Sequence, residues 1–122
     1  MAKDNGKMAD EYGNMDSEGE MAVVDEFVLD SGRMLNKVEV RYMCWGQMNE
    51  ARDNVIVICH ALTGNANAQS WWGDVIGPGK PLDTRVFWVF CSNVLGSCYG
   101  TTGPTSIDPR TGKRYGGAVP QV

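Results

Sequence analysis

The sequence has no apolar run long enough to cross a membrane and no excess of basic residues. Its 122 residues include 11 Lys and Arg against 15 Asp and Glu, which gives a formal net charge of −4. A membrane span needs about 20 apolar residues in succession, and a nucleic-acid surface needs a basic stripe, so we expect neither partner. The acidic stretch Met1–Glu20 has the features of neither a secretory signal nor an Arg-rich transit peptide. By elimination, we expect a cytoplasmic protein.

Histidine and cysteine are too sparse to predict a metal centre. His60 is the only histidine, and no C-x-x-C pair occurs among the 4 cysteines. A zinc site needs closer spacing and additional ligands, so we expect no bound metal and no bound cofactor. Two disulfides are possible by count, but cysteine is commonly a small buried hydrophobe. We therefore expect free, buried thiols at Cys44, Cys59, Cys91 and Cys98.

A serine nucleophile in a strand-to-helix elbow is also missing. No serine is flanked by glycines in the Gly-x-Ser-x-Gly spacing that such an elbow requires. Gly96–Gly100 has this spacing around Cys98, and His60 could serve as the base of that thiol. However, the pattern begins several residues after the nearest strand, and no helix pattern follows it. We favour a glycine-rich turn there and a structural hydrogen-bonding role for His60.

Two further patterns are weak signals of function. The stretch Gly73–Pro81 resembles a phosphate-binding loop only superficially, because its spacing is too long and Pro81 stands where Ser or Thr must bind magnesium. The adjacent side chains of Trp71 and Trp72 could face a ligand or pack in the core, and the sequence favours neither interpretation.

The sequence does contain an apolar run, Val55–Cys59, that ends abruptly in the loop His60–Gly64. The run is short, continuous and rich in Val and Ile, which predicts a strand over Asn54–Cys59 that is buried on both faces, as in a parallel sheet. Open α/β sheets bind ligands at the carboxyl ends of such strands. The loop is therefore the best candidate for a functional site, since its backbone N–H groups could hold an oxyanion.

Other elements are predicted around this strand. The stretches Glu26–Leu29 and Val38–Trp45 are expected to pair as an antiparallel hairpin across the turn Asp30–Gly32. A second apolar run, Val86–Cys91, predicts a buried strand parallel to the first, because a crossover containing a short helical turn at Trp71–Ile76 joins them. Gly77–Pro81 is expected to break any regular structure.

The predicted elements divide the chain into two segments. Residues 1–21 are expected to be a disordered acidic tail, and residues 22–122 to be the ordered part. A parallel sheet needs helices on both faces, and this chain offers at most one short helix between its core strands. We therefore expect residues 22–122 to be the front part of a longer α/β protein, with Val55–Cys59 and Val86–Cys91 left as unpaired, aggregation-prone edges.

Several ordered motifs resemble those of the homoserine O-acetyltransferase family. They extend from about Phe27 to Val122, and their order and spacing make the resemblance far more specific than any one motif. The motifs are Tyr42-x-x-Trp45-Gly46, Asp53-Asn54, His60-Ala61-Leu62-Thr63-Gly64, Trp71-Trp72-Gly73, Ile76-Gly77-Pro78-Gly79, the run Asn93–Pro104 and Ser106-Ile107-Asp108-Pro109.

The resemblance implies an α/β-hydrolase fold and acyl transfer from acetyl-CoA to the hydroxyl of homoserine, on the route to methionine. In this family the reaction passes through an acyl-serine and uses a Ser-His-Asp triad. The resemblance makes the Leu62 N–H a donor of the oxyanion hole and makes Cys98 part of a family motif. It places the Gly96–Pro104 loop beside the active-site entrance. Substrate contacts are expected at Gly64, Gly96, Tyr99 and Gly100.

The resemblance also implies what lies outside this sequence. The family's triad residues, and the helical lid through which its members commonly dimerise, would follow Val122. We therefore expect an amino-terminal fragment of the α/β-hydrolase domain that is inactive alone. Acetyl-CoA and homoserine are the expected substrates, although similar relatives use succinyl-CoA or another alcohol. A non-catalytic truncated paralogue that binds a partner, and an enzyme that uses Cys98, remain the alternatives.

Overall fold

The computed structural model describes residues 18–121. Strand β1 begins at Glu20, slightly before the expected start of ordered structure at Ala22. The disordered tail expected for residues 1–21 lies mostly outside the described residues. Within residues 18–121, no helix is both long enough and apolar enough to cross a membrane.

The chain begins with a long β-hairpin. Strand β1 (Glu20–Val28) pairs antiparallel with β2 (Met34–Trp45), which confirms the predicted hairpin and extends its first strand. The turn between them closes through two backbone hydrogen bonds of 2.8 Å, and Gly32 adopts φ +83° there. Glycine suits this position because a left-handed backbone costs it nothing.

Two parallel strands complete the main sheet. Strand β3 (Val55–Ile58) pairs parallel with β6 (Trp88–Ser92), with Ile58 opposite Cys91, so the predicted parallel pair is confirmed. The strand order is β1-β2-β6-β3. The prediction of an unpaired edge at Val86–Cys91 is wrong, because β6 lies inside the sheet with β2 antiparallel on its other side.

The crossover between β3 and β6 is short. It holds helix α1 (Ala68–Trp72) and a small parallel ladder of β4 (Ile76–Gly77) with β5 (Leu82–Asp83). The predicted helical turn is found, but at Ala68–Trp72 instead of Trp71–Ile76, and the ladder shows that Gly77–Pro81 does not end all regular structure. The crossover covers one face of the sheet. The buried residues of this core are Ile58, Ala68, Ile76, Val89 and Cys91.

The other face of the parallel pair is open, and this contradicts the prediction for β3. Val57 is 61% exposed and Val55 is 37% exposed, so the strand is not buried on both faces. The register places both side chains level with Trp88 and Phe90 on β6, whose rings lie 5.5 Å apart. The continuous apolar run predicted burial on both faces, but β3 is an edge strand and no described element packs over this face.

The chain after Ser92 is irregular, as predicted. Residues 93–121 contain only a 3₁₀ turn at Gly116–Ala118 and an isolated bridge between Ile107 and Arg114. A second small core forms where Tyr115 packs against the hairpin. It comprises Leu29, Leu35, Val38 and Tyr115.

None of the four cysteines, all of which lie in residues 18–121, forms a disulfide, as predicted, but their expected burial is wrong in part. Cys91 is fully buried, and burial raises the pKa of its thiol. Cys59 is exposed, while Cys44 and Cys98 are half-buried. Cys59 is exposed because it continues the alternation of β3 and lies on the same open face as Val55 and Val57.

Candidate functional site

The loop after β3 forms a tight turn at the carboxyl end of the strand. The Gly64 N–H donates to the Ala61 carbonyl at 2.8 Å, which closes the turn. Leu62 lies at its tip with a fully exposed side chain. Within the described chain, the Leu62 N–H donates no hydrogen bond. A Cβ at position 64 would come within 3.1 Å of the His60 Cβ, so glycine permits this close approach.

His60 joins this turn to the chain that follows β6. Its Nε2 accepts the Val94 N–H at 3.1 Å, and its Nδ1 lies 2.8 Å from the Ala61 carbonyl oxygen. Since Nε2 accepts a hydrogen bond, the proton is on Nδ1, which donates to Ala61. Both ring nitrogens are therefore occupied by backbone groups. This confirms the predicted structural role of His60 and leaves no free nitrogen to act as a base for Cys98.

Asn93 makes a second connection between the same segments. Its side chain is almost fully buried, with 1% exposure. Its Oδ1 accepts the Ala66 N–H at 2.9 Å, and its Nδ2 donates to the Tyr99 carbonyl at 2.8 Å. The sequence analysis did not identify this role. The available signal was an amide two residues beyond the wholly apolar run Val86–Cys91, a position where a buried amide must find partners.

The glycine-rich loop after Asn93 is anchored on the edge of β2. Thr101 Oγ1 accepts the Arg41 N–H at 3.0 Å, and Thr102 Oγ1 accepts the Glu39 N–H at 2.8 Å. The Thr102 N–H also donates to the Glu39 carbonyl at 2.9 Å. These contacts continue the sheet beyond the end of β6 with side-chain oxygens in place of a strand.

The structure places the predicted substrate-contact residues in different environments. Gly64 and Tyr99 are half-buried, and Gly96 is exposed with φ +89°. Gly100 is buried, and a Cβ there would lie 3.0 Å from Arg41 Nε. The geometry of Gly100 is therefore explained by close packing on Arg41, and its contact with substrate stays a prediction.

The tryptophan pair lies on the surface of the crossover. Trp71 is 37% exposed and Trp72 is 47% exposed, and their ring centroids are 5.2 Å apart in an edge-to-face arrangement. Neither ring is part of the buried core, so the interpretation that the two tryptophans pack in the core is wrong.

The chemistry available at these loops is that of backbone donors. Among residues 18–121, no group of three or more His, Cys, Asp or Glu side chains is placed to hold a metal ion. An outward backbone N–H beside the carboxyl ends of parallel strands can stabilise a negative oxygen. The proton acceptor of such a reaction would have to come from elsewhere, because both nitrogens of His60 are engaged.

Comparison with solved structures defines the class of fold. The chain is similar to the crystal structure of esterase E22, with a TM-score of 0.76, 34% sequence identity, and coverage of 86% of this chain and 33% of that one. It is also similar to homoserine O-acetyltransferase from Bacillus anthracis, with a TM-score of 0.70, 34% identity, and coverage of 84% and 32%. The mixed sheet is a portion of an α/β-hydrolase fold, as predicted.

Curated relatives identify the particular relationship. The chain is 54% identical over 102 residues to homoserine O-acetyltransferase from Deferribacter desulfuricans and 47% identical over 107 residues to that from Chlorobaculum parvum. The alignments cover 75% and 88% of this chain. The chain spans only 27% and 30% of those relatives' lengths. No protein-family model matches the chain. Its homology to homoserine O-acetyltransferases, indicated by the sequence motifs, is confirmed.

Proposed function

We propose that this chain is the amino-terminal portion of a homoserine O-acetyltransferase. The whole protein would transfer an acetyl group from acetyl-CoA to the hydroxyl of homoserine in the cytoplasm, as a step toward methionine. The observation that carries the proposal is the exposed Leu62 turn at the carboxyl end of β3, in a chain 54% identical to an enzyme of that name.

In this proposal, the Leu62 N–H is one of the two donors of the oxyanion hole. When the acyl carbonyl is attacked, negative charge develops on its oxygen, and a donor that is already oriented stabilises that charge without further reorganisation. The second donor, the nucleophilic serine and the Asp and His of the triad would belong to the segment after Val122. The 122-residue chain alone would therefore have half of an oxyanion hole and no turnover.

The test is a chimaera in which this chain is joined, after Val122, to the residues of the Deferribacter relative that follow the aligned segment. We expect homoserine-dependent release of CoA from the chimaera and none from the 122-residue chain. A folded chimaera that binds acetyl-CoA and hydrolyses it without using homoserine would contradict the proposed acceptor. Turnover by the short chain would contradict the proposed division of the active site.

The same chimaera tests the role assigned to Leu62. Leu62→Pro removes the backbone N–H at a turn position that proline tolerates, so kcat should fall about 100- to 1000-fold with little change in KM. Leu62→Ala keeps the N–H and should stay within about threefold of the parent, because a fully exposed side chain makes little contribution. Equal losses in both variants would show that the side chain, and not the N–H, matters.

A second candidate is a truncated paralogue that binds a partner without catalysis. The observation in its favour is the open edge and face of β3, where Val57 is 61% exposed. Reading the transcript past the codon for Val122 separates the two candidates. An open frame that continues into an apolar strand and a Gly-x-Ser-x-Gly motif supports the enzyme, whereas a stop codon supports the paralogue.

A further inference from the structure

We propose that His60 and Asn93 form a two-point clamp that holds the Ala61–Gly64 turn and so fixes the direction of the Leu62 N–H. The inference rests on the proposed function, because it concerns the orientation of the proposed oxyanion donor. Both are positioning residues, since neither would contact the reacting atoms. The hydrogen bonds that form the clamp are present in the structure whatever reaction the protein catalyses.

The first point of the clamp acts on the start of the turn. The Ala61 carbonyl accepts two hydrogen bonds, one from the Gly64 N–H at 2.8 Å and one from His60 Nδ1 at 2.8 Å. The opposite nitrogen of the same ring accepts the Val94 N–H at 3.1 Å. The imidazole therefore connects the chain after β6 to the Ala61 carbonyl, which directly precedes the Leu62 N–H.

The second point acts on the end of the turn. Asn93 Oδ1 accepts the Ala66 N–H at 2.9 Å, just beyond Gly64. Asn93 is itself fixed, because its N–H donates to the Arg41 carbonyl at 2.9 Å and its Nδ2 donates to the Tyr99 carbonyl at 2.8 Å. Its burial, at 1% exposure, keeps water from competing for these groups.

The groups that anchor the two points belong to neighbouring residues just beyond the end of β6. Asn93 and Val94 directly follow β6, which is one of the two inner strands of the sheet and is paired on both sides. The turn is therefore held at both of its ends by residues that directly follow an inner strand of the sheet. An exposed four-residue turn at the end of an edge strand would otherwise be mobile, and an oxyanion donor needs a fixed direction.

The wild-type chain gives a direct spectroscopic test. With the imidazole neutral, nitrogen NMR of the single histidine should show a protonated Nδ1 and an unprotonated Nε2. A nitrogen–nitrogen coupling across the hydrogen bond should link the Val94 amide to His60 Nε2. A protonated Nε2, or an absent coupling, would overturn the proposal whatever the catalytic activity of the protein.

Two substitutions then separate positioning from general packing. In His60→Gln, the side-chain oxygen can reach the place of Nε2 and accept the Val94 N–H, whereas the shorter side chain of His60→Asn cannot. Hydrogen exchange of the Val94 amide should be about fivefold faster in His60→Asn, the effect of one lost hydrogen bond. It should return to within about twofold of wild type in His60→Gln.

The amides of Leu62 and Ala66 complete the experiment. The Leu62 order parameter should fall toward about 0.6 in both variants, because neither amide bridges the Val94 N–H and the Ala61 carbonyl as the imidazole does, while Ala66, held by Asn93, keeps its protection. Unchanged Val94 exchange and Leu62 order in His60→Asn would overturn the clamp and leave the acyltransferase proposal intact. If protection is lost equally at Ala66 and along β2, the variant is unfolding generally, and the coupling in the wild-type chain decides.

Discussion

At the scale of single residues, the site depends on polar side chains that satisfy backbone groups. Asn93, His60, Thr101 and Thr102 each hydrogen-bond a main-chain group in another segment. An irregular chain cannot pair its own N–H and C=O groups in a ladder, so side chains must do so wherever it is buried. Asn93, Thr101 and Thr102 meet this requirement in the irregular chain after Ser92.

Replacing the buried amide should be costly. Asn93→Ala leaves the Ala66 N–H and the Tyr99 carbonyl without partners in a dry environment, so the free energy of unfolding should fall by about 2–4 kcal/mol. Urea denaturation monitored by tryptophan fluorescence measures this change. Gln47→Ala, at an exposed position before β3, is the control and should change it by less than about 0.5 kcal/mol. Similar values for the two variants would show that the Asn93 bridges contribute nothing.

At the scale of elements, β3 is one of the two edge strands of the sheet. Among the strands of residues 18–121, β3 pairs only with β6, so its outer edge beside Val55 and Val57 has no strand partner there. Such an edge can pair with a second chain. The loop formed by residues 106–115, in contrast, is closed on itself by the bridge between Ile107 and Arg114 and by an ion pair between Arg110 and Asp108.

A charge on the β3 edge should reduce self-association. Val57→Lys places a strongly hydrated group at the strand edge, so the aggregated fraction after incubation should fall roughly severalfold. Val86→Lys is a matched control, because Val86 is 57% exposed against 61% for Val57 but lies in a turn. Light scattering and sedimentation measure the outcome. An equal benefit from both variants would assign the effect to net charge and not to the strand edge.

The loop of residues 106–115 should lose stability in acid. Hydrogen bonds from the Arg110 side chain lower the pKa of Asp108 below its usual value. A lowered folded-state pKa stabilises the fold above the unfolded-state pKa, which is about 3.9, and this contribution is lost as pH falls through the folded-state value. The difference in unfolding free energy between wild type and Asp108→Asn should therefore be constant near neutral pH and shrink below about pH 4.

The control for this pH series is Glu50→Gln, which removes a carboxylate at an exposed position. Its difference from wild type should show a much weaker dependence on pH than that of Asp108→Asn. Parallel curves for wild type and Asp108→Asn from neutral pH to pH 3 would contradict the stabilising role of the ion pair.

At the scale of the whole molecule, the sheet has one covered and one open face. The core of Ile58, Val89 and Cys91 lies beneath α1 and the β4–β5 ladder. On the other face, Tyr42 and Phe90 stack at 5.3 Å beside Trp88. Parallel sheets are covered on both faces in stable domains, and this chain spans 27–30% of the curated relatives it matches.

The open face should bind a hydrophobic dye. We expect strong fluorescence of anilinonaphthalene sulfonate with the 122-residue chain and a severalfold weaker signal with the chimaera, in which the added segment covers the aromatic face. Near-ultraviolet circular dichroism distinguishes an open native face from a molten state, which also binds the dye but has lost its aromatic signal. Equal dye binding by the chimaera would contradict the expected covering.

The sequence by itself determined the antiparallel hairpin, the parallel strand pair, the short helix and the relationship to homoserine O-acetyltransferases. Each of these depends on local patterns: the alternation in Val38–Trp45, the apolar runs at Val55 and Val86, and motifs at fixed spacing. Tertiary structure alone decided that β6 is an inner strand, that one face of β3 is open, and that Asn93 and His60 join two loops. These features depend on strand order and on contacts between residues about 30 positions apart, such as Asn93 with Ala66 and Val94 with His60. Local periodicity carries no information about them, because an apolar run has the same pattern whether or not its partner is present.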